Sequence, residues 1–185
     1  MILLDPDLKP APVPHKSLVA PLGVRPRQSA VPWPQRIPSR QTLNRFLAQA
    51  QDAVRIKGEV TVLLTTDAAI RKLNRQFRHK DKATDVLSFP AEGSFPAEGI
   101  GAEKIAGDLA ISVETARRQA ADQGHALTCE LKILILHGLL HLAGHDHESD
   151  AGQMARRERQ LRARIGLLQG LIERAKTNSV KKPIS

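Results

Sequence analysis

The segment His137-Gly-Leu-Leu-His141-Leu-Ala-Gly144-His145-Asp146-His147 gathers four of the chain's seven histidines. On a helix, His137 and His141 project from one face about one turn apart. Gly144 accepts the left-handed conformation that ends helices, so the chain can turn there and bring His147 back toward the first two rings. Three neutral imidazoles converging in this way make a three-ligand metal site. A tetrahedral Zn2+ held by His137, His141 and His147, one per chain, keeps a fourth position open to water, the mark of a catalytic rather than a structural zinc. A histidine pair four apart is common by chance; the third histidine after a helix-stopping glycine carries the reading of a metallohydrolase. His145 has three readings: a polar group at the mouth of the site, a bystander, or a solvent-facing side chain. Asp146 is either an acceptor that orients an imidazole, a base, or a turn-stabilising carboxylate.

These residues need a rigid support. Leu131, Ile133, Leu134, Ile135, Leu139, Leu140 and Leu142 make the histidine helix apolar nearly all round, which predicts burial. Buried imidazoles need polar partners, and a shared metal satisfies several at once. Upstream, Ser39 is a plausible N-cap for a helix with Leu43, Phe46, Leu47 and Ala50 on one face. Glu59–Thr65 is β-branched and predicts a strand. Asp67 then caps a helix that turns Ile70, Leu73 and Phe77 inward. Asp85–Pro90 and Gly107–Ser112 predict two further strands, the second followed by a polar helix over 115–123. Between them, Ser88-Phe-Pro-Ala-Glu-Gly93 is repeated as Ser94-Phe-Pro-Ala-Glu-Gly99, a duplicated loop too short for a solenoid. Met154, Leu161, Ile165, Leu168 and Ile172 form the stripe of a last amphipathic helix. The fold class is therefore α/β (α+β): one mixed-sheet domain around a central buried helix that carries the three-histidine zinc site, zincin-like in outline.

At 185 residues the chain suits one domain with a proper core. Nine of its twelve prolines fall between residues 6 and 38, which excludes a sustained helix or central strand there. The predicted division is a largely flexible Pro-rich arm over 1–38, a metal-dependent domain over 39–176 and a basic tail over 177–185. A net charge of +9 predicts a polyanionic partner. From Ala155 to Ser185, nine Lys and Arg face only Glu158 and Glu173, although such a run also suits a solvated helix face. Aromatic residues make up 3% of the chain, with no Tyr, which favours backbone electrostatics over base stacking. The single Cys129 excludes an internal disulfide framework or a Cys-rich zinc site and reads as a small apolar filler. No apolar run is long enough to span a membrane, and Asp5 and Asp7 interrupt any signal-peptide pattern, so a cytoplasmic location is the expectation.

Three motifs in order resemble one family, the YbeY endoribonucleases. The family signature His-Gly-x-Leu-His-Leu-x-Gly-Tyr-Asp-His is matched from His137 to His147, with His145 in the Tyr place. Leu73-Asn74 through Arg78 to Lys82-Ala83-Thr84-Asp85-Val-Leu-Ser-Phe-Pro90 matches a second motif, and Gly107-Asp108-Leu-Ala-Ile-Ser112 a third. Order and spacing agree over roughly residues 39 to 170, whereas the Pro-rich arm and the doubled loop depart from the pattern. The resemblance implies zinc ligation by His137, His141 and His147, and an active-cleft role for Arg78, which by itself would also suit a surface salt bridge; Asp146 is a catalytic candidate from its place among the histidines, not from the resemblance. It also implies a zinc-dependent, single-strand-specific endoribonuclease of ribosomal RNA maturation, acting at the 16S rRNA 3' end and in ribosome quality control. Its expected partners are ribosomal RNA and ribosomal particles, with neither membrane nor DNA.

Two rivals stand beside this reading. A zinc metallopeptidase would carry His-Glu-x-x-His on its helix, but Gly138 occupies the place of the catalytic Glu. A ribosome-assembly binding factor with a structural zinc would share the basic surface without the chemistry.

Overall fold

Buried apolar residues along two neighbouring strands organise the molecule. The computed structural model describes residues 1–8, 36–91, 105–145 and 152–167. Their elements are β1 (Ile2–Leu4), α1 (Arg40–Val54), β2 (Glu59–Thr65), α2 (Asp67–Arg78), β3 (Val86–Pro90), β4 (Ile105–Ser112), α3 (Val113–Asp122), α4 (Leu127–Leu142) and α5 (Gln153–Arg164). The sheet order is β1-β2-β4-β3, with β1, β2 and β4 parallel and β3 antiparallel to β4. This is the mixed α/β sheet that the sequence predicts.

On one face, Val60, Val62, Leu64, Leu109 and Ile111 bury against α1 and α4, with Leu43, Phe46, Leu131 and Ile135 among the partners. The opposite face is only partly covered. There Ile70 of α2 packs with Leu87 and Ala110, flanked by Leu73 and Phe89. Helix α2 touches β3 and β4, the end of the sheet away from β1. Among the described residues, no single helix is long and apolar enough to cross a membrane.

Ser39 caps α1 as predicted, accepting from the Thr42 N–H. Several expectations change. The chain start, assigned by sequence to the flexible arm, contributes β1, whose residues pair with Val62, Leu63 and Leu64; residues 9–35 of that arm lie outside the described residues. Thr66, not Asp67, caps α2 by accepting from the Ala69 N–H. Asp67 instead reaches α3, accepting from the hydroxyls of Ser112 and Thr115 and from Arg118. Burial disfavours the Asp67 charge, but those donors outweigh it and hold its carboxyl below the usual range. Phe77, predicted to point inward, is 56% exposed: it lies beside Phe89 on the partly covered face of the sheet rather than in the core. The strand predicted over Asp85–Pro90 is present as β3, so the first repeat copy begins inside a strand, and residues 92–99 of the doubled segment lie outside the described residues. Cys129 is half-buried rather than a fully enclosed filler.

Candidate metal centre and its cleft

Helix α4 can approach the sheet closely because position 138 has no side chain. A Cβ added at Gly138 would lie 2.8 Å from a Leu109 methyl carbon, well inside contact distance. Ser88 Oγ donates to the Gly138 carbonyl at 3.3 Å, tying edge strand β3 to the same turn. The helix ends as its sequence predicts: Gly144 has φ +84°, and the His145 N–H donates to the Leu140 carbonyl at 3.0 Å. His137 and His141 therefore sit half-buried on the last turns of a fixed helix.

Their Nε2 atoms lie 3.1 Å apart, with ring centroids at 4.8 Å and ring planes at 73°. At that distance either one Nε2 donates its hydrogen to the other, or both direct lone pairs to a common cation. Two Zn–N bonds of about 2.05 Å at the tetrahedral angle place their nitrogens about 3.3 Å apart, so the pair fits two of the three positions on zinc. The far nitrogen of His137 is also fixed. Its Nδ1 lies 3.1 Å from Oε2 of Glu158, which comes from α5 and in turn accepts from Arg162. A carboxylate that accepts from Nδ1 keeps the proton there and leaves Nε2 free to ligate. Burial disfavours charge on Glu158, yet its bonds to His137 and Arg162 prevail and hold the carboxyl below its ordinary value.

Sequence reasoning missed Glu158, counting it only as a charge in a basic run. A readable signal existed. Positions 154, 158, 161 and 165 share one helical face, so Glu158 interrupts the apolar stripe and must be buried with it.

Of the predicted ligands, the structure brings His137 and His141 together. His147 and the candidate catalytic Asp146 lie outside the described residues. Among the described residues, no group of three His, Cys, Asp or Glu side chains converges to hold a metal. Arg78 shares a cleft with the two imidazoles, and so does His145.

That cleft has a volume of about 870 Å³ and a floor formed by edge strand β3. Arg78, Lys80 and Lys82 line it, all exposed. The loop carrying the lysines is built, not loose. Buried Asn74 donates from Nδ2 to the Lys82 carbonyl at 2.8 Å and accepts the Lys80 N–H at its own carbonyl. Arg71 clamps Asp81 with two bonds of 2.8 Å. His79 closes α2 in the left-handed conformation, φ 55°, which sends the chain back toward β3. Asp85 also lines the cleft. Its burial disfavours charge, but donors from Gln119, the Val86 N–H and Thr84 more than compensate, so its carboxyl stays below the usual range. An acid so stabilised as the anion is a poor proton acceptor; Asp85 anchors the loop.

A family model described as endoribonuclease YbeY matches residues 33–166. An endoribonuclease YbeY of Koribacter versatilis is 50% identical over 144 residues, covering 78% of this chain and 88% of that one. One of Solibacter usitatus is 49% identical over 138 residues, covering 75% and 87%. A Thermotoga maritima protein with a solution structure matches at TM-score 0.47 and 24% identity, covering 80% of this chain and 95% of that one.

Proposed function

The chain belongs to the YbeY endoribonuclease family, and from that premise we propose that its cleft hydrolyses a phosphodiester bond of ribosomal RNA with the help of one bound Zn2+. The observation that carries this is the pair of imidazole nitrogens 3.1 Å apart opening on the same cleft as three cations. His137, His141 and His147 would hold the metal. When bound, it supplies a Lewis acid that activates water and neutralises charge on phosphate oxygens.

The chain's own side chains account for the rest. Arg78 presents a planar fork suited to two phosphate oxygens at once. Lys80 and Lys82 add point charge along the strand's path, which gathers a polyanion and sets its direction across β3. Glu158 holds the His137 ring in one tautomer. Asp146 is the proposed base, and His145 stands at the mouth. On this reading the substrate is the 16S rRNA 3' end, single-stranded where it is cut. Maturation and quality control of ribosomal particles follow as the setting.

Peptide hydrolysis is disfavoured by the packing of α4. A Glu at position 138 would have to begin its side chain against Leu109, so the peptidase base has no room without a shift of helix or sheet.

The test combines metal content with cleavage of labelled structured RNA by the full chain. Wild type is expected to carry one zinc and to cut, with a chelator stopping it. His141→Ala, shown folded by circular dichroism, should lose both. Arg78→Ala should keep its zinc and lose roughly ten- to hundredfold in cleavage, the worth of a charge-assisted phosphate contact. If His141→Ala and wild type cut equally little while both bind ribosomal particles, the nuclease reading fails and the binding factor stands. Casein cleavage blocked by the chelator would restore the peptidase.

A further inference from the structure

Phe77 lies on the surface although it is the largest apolar side chain of α2. Its ring meets Phe89 edge to face, with centroids 5.1 Å apart and planes at 69°. Composition argues against stacking chemistry, yet two of the chain's four phenylalanines converge at this one place.

That place is a boundary. Phe77 and Phe89 line the basic cleft, and both also line a second groove of about 480 Å³ on the partly covered face of the sheet. Leu3, Leu63, Leu73 and Ala110 make the groove mainly apolar. Its one charged lining residue is Asp108, which faces Phe89 across the β3–β4 register. Charge differs across the phenylalanine rim: on the cleft side three cations outnumber one carboxylate, Asp85, which accepts from Gln119, Thr84 and the Val86 N–H, while the groove side holds Asp108 alone. A phosphate is attracted to the first and repelled from the second. A nucleobase suits the groove, since its faces want apolar or aromatic contact and its edge carries N–H donors that Asp108 can accept.

We propose that this groove is a nucleobase subsite of the cleft. A phosphate of the strand lies at Arg78, Lys80 and Lys82, while a neighbouring base turns over the rim and stacks on Phe77. The inference rests on the endoribonuclease reading and adds to it a physical source of substrate choice. A base held in a duplex cannot leave its stack to reach Phe77 without losing its pairing partner, whereas an unpaired base pays far less.

The experiment measures binding of the full chain to a fluorescent single-stranded oligoribonucleotide and to the same strand made abasic at the central positions. Phe77→Ala, a change at an exposed site, should weaken binding of the base-containing strand roughly ten- to hundredfold, the worth of one base stack. Phe77→Trp should restore it. On the abasic strand, Phe77→Ala and wild type should differ by less than twofold. Equal binding of the base-containing strand by Phe77→Ala and wild type overturns the subsite. Equal weakening on both strands also overturns it, since Phe77 would then act on the backbone path. If Phe77→Ala alters the sedimentation mass and leaves RNA binding intact, the groove seats a second copy instead. Wild type that neither binds nor cuts any strand would be the failure of the endoribonuclease reading itself.

Discussion

Removing the carboxylate of Glu158 separates two roles that the geometry assigns to it. Glu158→Ala deletes the acceptor for His137 Nδ1 and for Arg162 together. Truncating one member of a fully buried ion pair costs about 3–5 kcal/mol because the other charge is stranded. Here the Arg162 side chain keeps 27% exposure and Glu158 12%, so water recovers part of that cost and about 2 kcal/mol is expected. Arg162 Nε is already buried with no hydrogen-bond partner among the described residues, which limits how far the guanidinium can be rescued. Glu158→Gln keeps the volume and one acceptor oxygen, so about 1 kcal/mol is lost. Zinc affinity should fall more evenly, about 10–100-fold in either variant, because both weaken the group that fixes the His137 tautomer. Urea unfolding in the presence of chelator isolates the packing cost. Competition against a chromophoric chelator isolates the metal term, and a His137→Ala background shows whether the two share one pathway. An alanine variant within about 0.5 kcal/mol of wild type, with zinc affinity unchanged within twofold, would refute the assignment of Glu158 as the residue that holds His137.

Two further outcomes follow from the same contacts. Asp67 and Asp85 have carboxyls held below their ordinary value, so each stabilises the fold above the unfolded aspartate value of about 3.9, and that contribution drains away as pH falls through the lower folded value; Asp85→Asn should flatten the acid limb of a stability-against-pH curve, and an unchanged limb would count against its hydrogen bonds. Gly107 has φ +146°, and a Cβ there would meet the Phe89 carbonyl oxygen and lie 2.8 Å from a Leu142 methyl carbon, so Gly107→Ala should cost about 3 kcal/mol or more in urea unfolding, against no measurable change if β3 can yield.

What the sequence made legible was whatever local periodicity encodes. The His137/His141 pair needed only a helix of 3.6 residues per turn, and Ser39 needed only its own hydroxyl and the Thr42 N–H. Phe77 was misplaced because periodicity gives the face a residue occupies but not whether that face is covered. The register of α2 does point Phe77 along the face of Ile70 and Leu73, and with Leu73 it lines the groove on the partly covered sheet face, where its ring stays 56% exposed. Strand β1 carries no local signal at three residues; its pairing comes from the open edge of β2, sixty residues away. Glu158 was visible only to a reading that asked which face a charge sits on, rather than how many charges a segment holds. Composition failed in the same way for the aromatics, since a 3% content says nothing about whether two rings meet.

The site is organised by an edge strand rather than by a sheet face. Strand β3 ends the sheet order, and Val86 to Pro90 line the cleft, so its outer backbone groups face whatever enters. An exposed edge ordinarily invites pairing with another chain, and proteins guard such edges with charge and with proline. Pro90 removes one donor at the end of β3, and Arg78, Lys80 and Lys82 surround its approach. Those cations repel a second basic copy of this chain, whose net charge is +9, while attracting a polyanion. One arrangement thus serves both demands. The same edge brings together elements from the two faces of the sheet: the imidazoles of α4 from the covered face, and Phe77 with Arg78 of α2 from the open one. A strand laid across β3 would meet the imidazole pair on one side and an aromatic rim on the other, so on the proposed reading chemistry and base choice are set by residues that never touch each other.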